Sequence, residues 1–352
     1  SRNWGRSRVG ALFVNKTDID AFGDLANDTS YHNRTYAIDA SIAPHPNFTI
    51  VGFLSATETS GLRTPLDDPG TSTREDEGYG GMGSYINMEW LDADWRIYAE
   101  YADFENDYNP EVGFLPRNGI RTSKWHIERN PRPDFWGIRV LSPMVNYIYT
   151  TDQTGLRVAD RWHYMLGMRF DNGAFLNVWW NDHFDRVERN FSLNDVVIPV
   201  GDYNFNEYRV SFDSNPSRRF YYGMMLAPQQ FYGGDRLESQ GKLGARLSDR
   251  LSTEASWTRN DVSLPGGDFE VDLASIRVDF AISPTMAIRS ITQYNSFVEQ
   301  FSSSARFRWT YRPGSDVFIA YDELRRDPTD PLSTFTFRDR RLIVKATFLV
   351  TG

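Results

Sequence analysis

Cysteine is absent from the 352-residue chain, which removes disulfide frameworks, thiolate metal sites and thiol nucleophiles from consideration. Long apolar runs are missing as well. No window approaches the ~18 consecutive apolar residues of a membrane-crossing helix, so a helical membrane protein is excluded. Strands that cross a membrane with apolar residues only at alternate positions are not. A basic surplus is also lacking. The 38 Lys and Arg stand against 47 Asp and Glu, a net charge of −9, and this opposes general nucleic-acid binding.

Histidine is scarce: His32, His45, His126, His163 and His183 are all there are, and none has the spacing of a zinc pair. A Gly-x-Ser-x-Gly nucleophile elbow is missing too. The expectation is therefore a non-enzyme without a cofactor, with an outer-membrane hydrolase the least favoured reading. Ser1 begins without the charged start and apolar stretch of a secretory leader, so the chain reads as mature or as the later part of something longer.

What the chain does have is aromatic residues, 15% of the total, and alternation. Trp95, Ile97, Ala99 and Tyr101 interleave with Arg96, Tyr98 and Glu100. Trp162, Tyr164, Leu166 and Met168 interleave with Arg161, His163, Met165 and Arg169, and Ala305, Phe307, Trp309 and Tyr311 with Ser304, Arg306, Arg308 and Thr310. Leu342, Val344, Ala346 and Phe348 alternate with Arg341, Lys345 and Thr347 in the same way. Successive side chains of a strand point to opposite faces, so each stretch predicts a sheet with one apolar and one polar face.

A soluble sandwich gives the same alternation, and the punctuation between strands separates the two. Turn-forming residues cluster at 44–46, 92–94, 130–133, 171–173, 215–217, 248–250, 283–285 and 313–315. Between them lie connections that read as long and polar, at 17–33, 60–80, 106–118, 185–202, 230–238, 260–267 and 326–338. Alternating short and long connections predict a transmembrane up-and-down antiparallel β-barrel of about eighteen strands, in a range of roughly 16 to 22. One barrel domain is expected over residues 1–352, in the outer membrane of a Gram-negative bacterium. Trp90, Trp136, Trp180, Trp257 and Tyr321 near predicted strand ends suit its aromatic girdles. A face switch around Ala274 and Ser275 reads as a β-bulge.

The alternation nominates lumen-lining residues: Arg96, Glu100, Lys124, His126, Glu128, Arg139, Arg161, His163, Arg169, Arg209, Arg246, Arg277, Arg306, Arg308 and Lys345. Basic members outnumber acidic ones, which would favour anionic solutes; cross-strand pairing with carboxylates is the alternative. The segment 106–118 is different in kind. Its Asn109, Pro110, Glu111, Phe114, Leu115 and Arg117 suit a packed position better than free solvent, so it is expected to fold inward and constrict the lumen. Carboxylates at Asp18, Asp20 and Asp24 beside Gly23 weakly resemble a calcium loop, but a solvated loop is favoured over a metal site.

The stretches Tyr108-Asn109-Pro110-Glu111-Val112-Gly113-Phe114-Leu115-Pro116-Arg117, Arg8-Val9-Gly10-Ala11-Leu12-Phe13 and Ala305-Arg306-Phe307-Arg308-Trp309-Thr310-Tyr311-Arg312-Pro313-Gly314-Ser315 resemble the barrel region of an outer-membrane family called domain of unknown function 5916. The resemblance runs over nearly the whole chain, and Asn-Pro-Glu-Val-Gly-Phe is its most specific motif. Members often carry a carbohydrate-binding family 9-like domain ahead of the barrel, which would lie outside this chain. The resemblance implies a membrane anchor or scaffold for a preceding periplasmic domain or a protein partner, in surface-glycan handling, with lipid and lipopolysaccharide as neighbours. A passive or gated porin-like channel is the other expectation. The close on Val350-Thr351-Gly352, not on the usual terminal aromatic, reads as a few missing residues.

Overall fold

The computed structural model describes residues 2–17, 32–60, 78–111, 113–115, 117–326 and 337–349. Their backbone falls into two compact units. The first comprises Ser1–Asn130, Pro143–Tyr164 and His183–Arg186. It holds β1 (Arg2–Trp4), β2 (Ser7–Thr17), β3 (His32–His45), β4 (Phe48–Ser60), β5 (Tyr79–Leu91), β6 (Trp95–Phe104) and β7 (Ile120–Arg129), and part of β8 (Ile138–Asp152), β9 (Arg157–Phe170) and β10 (Phe175–Val187). From β1 to β8 each strand pairs antiparallel with the next.

The second unit comprises Pro131–Ser142, Met165–Asp182 and Val187–Gly352. After its parts of β8, β9 and β10 come the short strands β11 (Phe191–Leu193) and β12 (Val196–Ile198), which form a hairpin of their own. The long strands resume with β13 (Gly201–Asp213), β14 (Phe220–Phe231), β15 (Gly234–Arg246), β16 (Leu251–Leu264) and β17 (Gly267–Ser283). They end with β18 (Met286–Asn295), β19 (Gln300–Arg312), β20 (Ser315–Arg326) and β21 (Phe337–Ala346). From β13 to β21 every pairing is again antiparallel and sequential.

Apart from the β11–β12 hairpin, the strands belong to one 19-stranded sheet. Setting aside the three-residue β1 leaves the eighteen long strands expected, among the described residues, each of ten residues or more. A tilted strand crosses a bilayer in about 9–11 residues. The eight short turns fall where the Pro, Gly, Asn, Asp and Ser clusters placed them. At the β5–β6 turn the Asp92 carboxylate accepts hydrogen bonds from Trp90 Nε1 (2.7 Å) and from the amides of Asp94 and Trp95 (both 2.8 Å). These donors hold its pKa below the ordinary carboxylate range, with the Trp90 bond the largest cause.

The opposite side of the sheet departs from expectation. The connections read as long at 230–238 and 260–267 are two-residue loops, Tyr232-Gly233 and Pro265-Gly266. Their polar flanks are strand: Arg236 Nε donates to Asn260 Oδ1 (2.9 Å), and Arg259 pairs with Asp261 and Glu270. Polar residues there mark strands that continue into water, not loops. The bulge expected at Ala274 and Ser275 is also absent, because the β16–β17 register runs unbroken from Val271 opposite Asn260 to Ile276 opposite Ala255. The face does not switch; the environment does. Phe269 packs inward at the strand end, whereas Ile276 and Phe280 lie on the exposed outer face.

Directly opposed residues share a face, so the registers sort the side chains. In the first unit one face carries the exposed Phe13, Ile38, Leu54, Ile86, Ile97, Tyr101, Trp125 and Ile127. In the second it carries Tyr208, Val210, Met224, Leu226, Leu243, Trp257, Ile276 and Trp309. Water does not tolerate so continuous an apolar surface; lipid does. A buried apolar cluster lies at a strand end of the second unit, where the β11–β12 hairpin places Val196 and Ile198 against Val187, Val262 and Leu264.

Candidate functional site

The other face is polar, and in the first unit it is laid out around Tyr98. Arg96 opposes Glu128, Tyr98 opposes His126 and Glu100 opposes Lys124. His126 stacks on Tyr98 with ring centroids 4.5 Å apart, and the Arg96 and Lys124 cations each lie 5.3 Å from the Tyr98 ring centre. Carboxylates complete the pairing: Arg96 with Glu89 (2.8 Å), Lys124 with Glu100 (4.0 Å), and His126 Nε2 with Glu128 (3.4 Å). Arg161 and His163 lie on the strand face opposite Trp162, whose ring stacks on Tyr147 of the outer face at 4.2 Å.

The second unit repeats the arrangement with other residues. Arg209 donates to Glu207 (2.6 Å) and Glu238 (3.3 Å), Arg236 donates to Glu238 (2.6 Å), and Asn181 donates to Glu207 (2.5 Å). Arg306 forks onto both oxygens of Asp322 at 2.8 and 3.0 Å, and Arg308 pairs with Asp316 at 3.1 Å. Arg246 and Arg277 share the polar face with Ser252 and Glu254, and Lys345 with Phe318. Arg169 lies over Phe175, 5.0 Å from its ring centre.

Arg139 is placed otherwise. Ser142 and Asn177 crowd Gly167, and Asn177 donates to Ser211 on the polar face of β13, so Ser142 points to that face. Arg139, three residues earlier in an alternating strand, points to the other. Its exposed position beside the 130–137 turn lets a charged head reach water from the apolar side.

The segment between β6 and β7 lies across the polar face of β2 to β5. Tyr108, 5% exposed, donates its hydroxyl to Ser55 Oγ (3.0 Å). The Asn109 amide donates to Thr57 Oγ1 (2.9 Å), and Asn33 Nδ2 donates to the Asn109 carbonyl (2.8 Å). Lys16 Nζ meets Glu111 at 2.7 Å. Space for this approach comes from two glycines. A Cβ on Gly81 would stand 2.4 Å from the Tyr108 nitrogen, and one on Gly83 2.7 Å from the Tyr108 ring.

Asn109, Pro110 and Glu111 are therefore drawn in, but Phe114 is 91% exposed and Arg117 is exposed. Leu115 is half-buried. The anchor is a tyrosine and hydrogen-bonding groups, not the apolar pair that suggested packing. Tyr108 belonged to the motif but was not singled out, and the acidic partners Glu89, Glu207, Glu238, Asp316 and Asp322 were missed. Same-face spacing such as Glu207 with Arg209, two residues apart, was the available signal. Asp18, Asp20 and Asp24 lie outside the described residues; among those described, no group of three or more His, Asp or Glu could hold a metal ion.

Sequential antiparallel strands of bilayer-crossing length, with one exposed apolar face and one charged face, define a transmembrane up-and-down β-barrel, a protein of the Gram-negative outer membrane. A solved structure shares the fold. The siderophore receptor PirA from Acinetobacter baumannii superposes over 97% of this chain and 70% of its own, at 9% identity and a TM-score of 0.52. A mutant ferric enterobactin receptor PfeA from Pseudomonas aeruginosa covers 96% and 72% at 9% identity and a TM-score of 0.48. Salmonella typhi OmpF in complex with daunomycin covers 82% and 88% at 10% identity and a TM-score of 0.40. No family model and no curated protein matches the chain.

Proposed function

We propose that the chain is an outer-membrane barrel whose polar strand face lines a solute passage, narrowed by the segment at 106–118. The observation that carries this reading is the fixation of that segment across the polar face by Tyr108, Asn109 and Glu111. A segment held by a buried tyrosine and an ion pair is a fixed constriction, not a loop waving in solvent. Most polar-face cations here have a carboxylate beside them, so the passage as a whole is only weakly charge-selective. No covalent chemistry is part of the proposal.

Single-channel recording in planar bilayers tests it. Steady conductance is expected, rising when residues 107–115 are replaced by a short Gly-Ser linker. Silence from inserted, folded protein would overturn the passage, and unchanged conductance after the replacement would overturn the constriction.

A second reading, a scaffold for a partner or preceding domain as the resemblance to the 5916 family implies, is favoured by the turn between β7 and β8. There Trp136 is 88% exposed at φ 53°, a conformation a bulky side chain rarely adopts, with Phe135 edge-on to it at 5.4 Å. A photocrosslinking residue at position 136 should give a discrete adduct in cells if that turn docks a protein, and only lipid or self-adducts otherwise.

A further inference from the structure

Pairing of opposite charges, the rule over most of the polar face, fails for a pair of neighbouring arginines in the second unit. Near the short turns of the second unit, a hollow of about 1160 Å³ is lined by Arg219, Arg246, Arg250, Arg277, Arg289 and Arg306, with Asp249 and Asp279 the only carboxylates lining it among the described residues. Arg289 is paired with Asp279 (3.2 Å) and Arg306 with Asp322. Arg246 and Arg277 have no ion pair among the described residues.

The carboxylate directly opposite Arg277 explains why. Glu254 stands directly opposite both Gly244 and Arg277, but it accepts a hydrogen bond from the Tyr221 hydroxyl at 3.0 Å. Tyr221 reaches it by lying over β15 where residue 244 has no side chain; a Cβ there would stand 1.9 Å from the ring. A neutral phenol thus engages the acid and leaves two guanidiniums uncompensated. Arg289 and Arg306, directly opposed across β18 and β19, are each held by an aspartate of their own.

We propose that this hollow is a binding site for a small phosphate-bearing solute, with Arg246 and Arg277 as its principal ligands and Ser252 and Ser304 supplying hydroxyls. Guanidinium forks match the oxygens of a tetrahedral oxyanion. Two guanidiniums without an ion pair, side by side in an arginine-rich hollow, call for a multivalent ligand, and a phosphate carries close to two charges per group at neutral pH where a carboxylate carries one. The volume exceeds that of phosphate alone and admits a phosphorylated organic molecule. The assignment rests on the polar face being open to water, as in the passage proposed above.

Isothermal titration of the full chain in lipid-free detergent, with pyrophosphate as the probe, tests the site without reference to conductance. Saturable binding at about 0.15 M salt is expected. It should weaken at least about tenfold in R246Q and in R277Q, and stay unchanged in R96Q, which removes a paired arginine of the first unit. Heat-modifiable gel mobility checks that each variant is folded, and Lys at either position should restore part of the affinity. Undetectable binding by folded wild-type protein, or equal affinity in wild type and the R246Q/R277Q double variant, overturns the proposal. A protein that conducts but does not bind loses the site alone; one that binds but stays silent loses the passage and keeps the site.

Discussion

Gly83 shows how much one missing methyl decides. Its absent Cβ leaves room for the Tyr108 ring, so Gly83→Ala should push the ring away and loosen the inward segment while the β4–β5 ladder persists. Faster proteolysis within 106–118 of the variant, with unchanged circular dichroism, is the expected result; equal protection would show that the segment is held by other groups. Arg209 illustrates the opposite case, a group whose removal strands its partners. Glu207 and Glu238 both lie largely buried against it, so Arg209→Ala should cost about 3 kcal/mol in urea unfolding from vesicles. Arg209→Ala combined with Glu207→Gln should recover part of that loss.

Asp92 sets a pH dependence at the same scale. Its folded pKa is depressed by the Trp90, Asp94 and Trp95 donors, so the stability it contributes is complete above the unfolded carboxylate pKa of about 3.9. That contribution falls away as pH drops through the lower folded value. Wild type should lose thermal stability relative to Asp92→Asn as pH falls below about 4, and parallel curves would show that the turn does not depend on the ionised carboxylate.

At the scale of elements, the short turns were legible because each chemical class of turn residue acts locally. The tight loops at Tyr232-Gly233 and Pro265-Gly266 were not, because polar strand residues beyond the membrane look like loop in one dimension. Their continuation depends on cross-strand partners such as Arg236 with Asn260, which no local pattern contains. The β11–β12 hairpin is of the same kind. Its turn at Asn194 and Asp195 has both residues at positive φ (45° and 69°), the conformation of a two-residue hairpin loop, but its seat on Val262 and Leu264 is a tertiary fact. Replacing Val196 and Ile198 by Ser should release the hairpin, seen as faster hydrogen exchange at 191–198 with β14–β17 unaffected. Uniform exchange across both regions would mean that the strands need the hairpin to hold their ends.

For the molecule as a whole, the two faces make the sharpest prediction. Trp257 and Trp162 lie on the apolar face, whereas Trp179 sits under Arg209, 5.3 Å from its guanidinium. In vesicles of brominated lipid, single-tryptophan variants should be strongly quenched at 257 and 162 and nearly unquenched at 179. Equal quenching at all three would reverse the assignment of faces.

The amino-acid sequence by itself determined the fold class, the number of long strands and, through period-two alternation, which residues share the polar face, because strand geometry converts parity directly into side. Arg139 is the exception, where a strand end lets a charge escape to water from the apolar side. The tertiary structure decided which cations are neutralised, which are left open at Arg246 and Arg277, and that Tyr108 rather than Phe114 anchors the inward segment. Those outcomes depend on registers between strands and on the space left by Gly81, Gly83 and Gly244, and distance in space is the one quantity that parity along a chain does not carry.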